Sequence, residues 1–79
     1  MTDKERENKI RAIIHRTGFA FIRVEIDSKG QTYSLWRKGN LILHSSKFSG
    51  LLLIDLEHDK TKAYIQNGSL EEIEKALNV

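Results

Sequence analysis

Between residues 19 and 66 the chain runs through five short stretches of strand-like composition, and every link between consecutive stretches is short. The longest link, residues 45–50, has no room for a helical crossover, which takes about a dozen residues. Neighbouring stretches must therefore pair antiparallel, as a meander. The five runs are expected at about 19–27, 31–37, 40–44, 51–57 and 62–66. Single glycines punctuate them: Gly30 and Gly39 fall in turns, and Gly50 and Gly68 fall beside strand ends.

Helices are expected on both flanks. Thr2 and Glu5 have capping-box spacing, and Ile10, Ile13, Ile14 and Thr17 follow at helical intervals, so a helix spans about 3–17. Gly18 stands where a left-handed residue would stop it. Ser69 and Glu72 repeat the capping box before Leu70, Ile73, Ala76 and Leu77, placing a second helix at about 70–77. The fold class is therefore α+β: one domain over residues 1–79, a five-stranded antiparallel meander sheet flanked by an N-terminal and a C-terminal helix.

Alternation sorts the strand residues into two sets. In the first run Ala20, Ile22, Val24 and Ile26 oppose Phe19, Phe21, Arg23, Glu25 and Asp27. Tyr33 and Leu35 oppose Trp36, and Leu41 and Leu43 oppose Ile42. The run Leu51–Ile54 is continuous, which suggests burial on both faces. Both sets are apolar, and register decides how they join. Two short helices with narrow stripes do not obviously cover both faces of five strands. One face is thus expected to wait for a partner, and a two-fold homodimer is the simplest form.

Composition narrows the functions. The chain has no cysteine, which removes disulfides and thiolate metal sites. It has no apolar run long enough to span a bilayer and opens on the charged MTDKERENK, so a cytoplasmic protein is expected. Residues 1–50 carry ten Lys or Arg against five Asp or Glu, and residues 51–79 carry three against six. That asymmetry is mild beside nucleic-acid binders, and folding can interleave the halves.

No catalytic constellation is legible. There is no G-x-S-x-G elbow and no glycine-rich phosphate loop, and His15, His44 and His58 lack metal-ligand spacing. Asp55, Glu57 and Asp59, with His58 nearby, could hold a hard cation on one side of a strand. A solvated hairpin end answering Lys60 and Lys62 explains them more simply. The expectation is a non-enzyme with no cofactor and no metal.

Two binding readings remain. Trp, Tyr and Arg dominate protein interfaces, so Phe19, Phe21, Trp36, Arg37, Lys38 and Tyr64 are the candidate partner-binding residues. Single-stranded nucleic acids instead ask for aromatics among cations, which Arg23, Trp36, Arg37, Lys38 and Lys47 would supply, with Tyr33 and Phe48 as further rings. A meander followed by a helix resembles, in topology alone, the sheet-plus-helix unit of Whirly-like and PUR-like single-strand binders. That likeness covers the strands and the last helix, and no sequence motif carries it. The leading expectation is a small binding or regulatory protein acting through a sheet face or edge. The nucleic-acid module is the alternative.

Overall fold

A computed structural model describes residues 1–46 and 50–79. The order is α1 (Asp3–Arg16), β1 (Ala20–Ile26), β2 (Thr32–Lys38), β3 (Leu41–Ser46), β4 (Gly50–Asp55), β5 (Lys60–Ile65) and α2 (Leu70–Leu77). The strands form one antiparallel sheet in chain order, the expected meander.

Both helices start where their capping residues place them. The Thr2 hydroxyl accepts from the Glu5 amide at 3.1 Å, and the Ser69 hydroxyl from the Glu72 amide at 3.1 Å. Thr17 caps the end of α1, and Gly18 follows with φ +96°, which favours glycine. The Arg16 guanidinium pairs with Glu74, tying α1 to α2.

The two helices share one face of the sheet. Ile13 and Ile14 of α1 and Ile73 and Leu77 of α2 enter a single core with Trp36, Leu43, Leu51, Leu53 and Ile65. Across the middle of the sheet, Trp36, Leu43, Leu53 and Ala63 stand opposite one another on β2 to β5, and all point at the helices. The Cα envelope is 36 × 29 × 19 Å. Its short axis fits one sheet and one helix layer about 10 Å apart, and the described residues form no third layer.

Several boundaries shift from the sequence expectation. β3 runs on through Ser45 and Ser46, which pair with Leu51 and Gly50 on β4, so the expected loop from residue 45 shortens. Lys47 and Phe48 lie outside the described residues. β4 stops at Asp55, because the Asp55 carboxylate accepts from the Glu57 and His58 amides at 3.0 and 3.3 Å and turns the chain. The alternation that placed Asp55, Glu57 and Asp59 on one strand side therefore does not continue. Asp59 instead takes a positive φ of 49° in the turn.

A bulge in β1 matters most. Phe21 pairs with Trp36 and Arg23 with Leu35, so one extra residue, Ile22, is inserted. Phe21 and Val24 then face the helix side together, opposite Trp36 and Ser34, although they are three apart in sequence. Simple alternation had put them on opposite faces.

Candidate protein-binding face

The other face of the sheet has no helix packed on it among the described residues. Its residues follow from the register. One row crosses all five strands as Arg23, Leu35, His44, Leu52 and Tyr64. The next crosses as Ala20, Arg37, Ile42, Ile54 and Thr61. Leu35, Ile42, Leu52 and Ile54 form an aliphatic centre that is half-buried only by its neighbours, and none of them joins the core. Burial along β4 shows the division: Leu51 and Leu53 are buried, and Leu52 and Ile54 are not. The continuous apolar run of this strand thus has one covered side, where the sequence suggested two.

Aromatic rings frame the centre. Tyr33 stacks on His44 with centroids 5.0 Å apart and planes 6° from parallel. Tyr64 is 61% exposed on the outermost strand. A hollow of about 280 Å³ opens between Tyr33, His44, Leu52 and Tyr64. Burial among these groups pulls the His44 imidazole below its ordinary value, which favours its neutral form. Two cations lie on the same face. Arg23 is closed by an ion pair with Glu25. Arg37 turns its Nε to the Gly39 carbonyl at 2.9 Å.

The residues singled out from sequence divide between the two faces. Arg23, Arg37 and Tyr64 lie on the open face. Phe19 and Trp36 lie in the core at 1% and 6% exposure. Phe21 meets Trp36 edge-on, with centroids 5.3 Å apart, and remains half exposed at the margin of the helix side. Lys38 spans to other segments: its Nζ donates to the Thr17 and Val79 carbonyls at 2.7 Å and stands over the Phe19 ring. Trp36, Arg37 and Lys38 are therefore no common patch, because Arg37 points away from its two neighbours. Leu35, Ile42, Leu52, Ile54 and His44 were not singled out. The signal that finds them is strand register, which no local motif encodes.

The acidic hairpin end is a turn with its own bonding. Asp55, Glu57 and His58 bring their ligand atoms within 4.8 Å of one another. The His58 ring meets the Asp55 carboxylate at 2.7 Å. That side-chain hydrogen bond, aided by the His58 and Glu57 amides and the His58 charge, holds Asp55 below its ordinary carboxylate value against the opposing effect of burial. Asp55 thus has partners within the turn.

Among the described residues, no helix is long and apolar enough to cross a membrane. No protein-family model, no curated protein and no solved structure matches this chain.

Proposed function

We propose that this is a small non-catalytic binding protein that docks the helix-free face of its sheet onto another protein. One observation carries the reading: among the described residues, helices cover one side of a five-stranded sheet, and the other side holds Leu35, Ile42, Leu52 and Ile54, with a hollow beside Leu52. A row of aliphatic side chains left without a packed layer on a small monomer is what a contact site offers. The hollow is the natural seat for one aliphatic or aromatic anchor from the partner, the geometry in which interface energy concentrates.

The chemistry of the face favours protein over single-stranded nucleic acid. Its centre is aliphatic rather than aromatic. Of the five residues that supported nucleic acid, Trp36 is buried, Lys38 is bonded to two carbonyls, and Arg23 is paired with Glu25. A backbone-tracking groove needs several unpaired cations.

The test compares capture by wild type and by Ile54→Lys from nuclease-treated lysate of the source cells at high salt. A lysine there puts a charge in the middle of the docking face and leaves the core untouched. The expected result is a discrete protein retained by wild type through the salt wash and lost with Ile54→Lys. Capture that Ile54→Lys retains would overturn the reading. So would tight, salt-sensitive binding of a single-stranded oligonucleotide that Ile54→Lys weakens.

A further inference from the structure

The two edges of the sheet are built differently. β5 ends the sheet with Lys60 and Lys62 exposed and with a register shift of its own, opposite Leu53 and Ile54. Lysines and bulges are the usual means of keeping an edge from pairing with another strand. β1 ends the other side, and along it only Glu25 is not exposed. Phe21, Ile22, Val24 and Ile26 are 53%, 41%, 56% and 68% exposed. No lysine or proline guards this strand, and its bulge lies near its start, leaving Arg23–Ile26 in regular register with β2. An edge that is apolar, regular and unguarded is a template for a further strand.

The sequence of β1 also selects which strand. In a two-fold pairing of antiparallel edges, with the axis perpendicular to the sheet, helix layers stay on one side and the axis passes through one residue. An axis through Arg23 sets that arginine against its own copy. An axis through Glu25 does the same for the glutamate, and one through Ile26 sets Glu25 against Asp27. An axis through Val24 sets Val24 against itself, Ile22 against Ile26 of the second copy, and Arg23 against Glu25 of the second copy, twice. Directly opposed unlike charges and apolar pairs stabilise a ladder, and like charges oppose it. The ion pair that Arg23 and Glu25 make within one strand is then remade across the axis.

We infer that the partner of the β1 edge is a second copy of this chain, paired antiparallel about Val24 to give one continuous ten-stranded sheet. The inference stands on the edge and does not depend on what occupies the open face. Its consequence for that face is size. Six residues of five strands project to about 480 Å². Pairing at β1 sets two such faces side by side on the same surface.

The chain has no cysteine, so Val24→Cys carries a single thiol. Opposed residues of an antiparallel pair stand about 4.5–5.5 Å apart at Cα, inside the span a disulfide bridges. Mild oxidation is expected to convert Val24→Cys to a covalent dimer far faster than Tyr64→Cys, an equally exposed position on the far edge. Sedimentation gives the charge test. Arg23→Glu and Glu25→Arg each replace two attractive contacts by repulsive ones, weakening self-association by about tenfold. Mixing the two variants restores a heterodimer, because each then meets its complement. Equal oxidation rates for the two cysteine variants, or no association in the mixture, would overturn the proposal. Ile54→Lys is expected to sediment as wild type, so failure of the docking reading leaves this result intact.

Discussion

Ile42 and Leu43 are neighbours on the central strand, and the one-sided core gives them different values. Leu43 is fully buried beneath both helices, and Ile42 faces away from them. Truncating a buried leucine leaves a cavity as well as losing its transfer energy, so Leu43→Ala is expected to cost about 3 kcal/mol or more. Ile42 is half-buried and, among the described residues, has no helix packed above it. Its truncation loses part of one side chain's burial and some strand propensity, about 1 kcal/mol, and opens no cavity. Urea unfolding followed by circular dichroism reads both. With a slope near 1 kcal/mol/M for so small a chain, the midpoints should fall by about 3 M and about 1 M. A domain of this size has roughly 4–12 kcal/mol in total, so Leu43→Ala can approach the limit of folding. Leu43→Val and Ile42→Val keep the comparison measurable, with the same ranking. Equal losses at the two positions would refute the reasoning, because they would require a packed layer on both faces.

Two further outcomes are expected. Gly50→Ala should be far more damaging than Gly30→Ala. Both glycines have positive φ, +106° and +80°, but an added Cβ at Gly50 meets the Ile65 carbonyl oxygen at 2.1 Å, whereas at Gly30 it meets nothing within 4 Å. The left-handed backbone costs about 1–2 kcal/mol in either, so the excess at Gly50 measured by urea midpoint is the clash, and equal midpoints would contradict the packing of β4 on β5. Stability should also fall with acid in two windows. The folded state lowers both His44 and Asp55, so each contributes stability above its ordinary value, 6.5 or 3.8, that is lost as pH falls through its folded value. His44→Gln should flatten the urea midpoint across the first window and Asp55→Asn across the second.

Element order was readable because the signals for it are local. Thr2 with Glu5 and Ser69 with Glu72 set the helix starts, and short links forced the meander. What the sequence did not yield was the joining of faces. A single inserted residue at Ile22 brings Phe21 and Val24 to one side, a change that alternation cannot register. β4 ended two residues early because Asp55 bonds its own turn, a choice made by one side chain after folding. Trp36, Arg37 and Lys38 are contiguous in sequence, yet a lone tryptophan in a small domain is most simply a core residue. Parity on a strand already separates Arg37 from the other two, and the structure uses that separation to bury the ring and send Lys38 to the carbonyls at the end of α1 and at Val79.

The thinness of the molecule connects its two open surfaces. A chain of this length has two short helices, enough to cover one face of five strands. A second covered face would take another layer about 10 Å thick, and the described residues form none. Apolar residues nevertheless occupy both faces of β4 and both sides of the β1 bulge. Folding alone satisfies one side of each. Leu35, Ile42, Leu52 and Ile54 on the open face, and Ile22, Val24 and Ile26 on the open edge, gain burial only by association. Because the edge axis through Val24 is perpendicular to the sheet, pairing the edge leaves the face free and aligned with its copy. The two surfaces can therefore be occupied together, and loss of either by substitution should leave the other's measured contact in place.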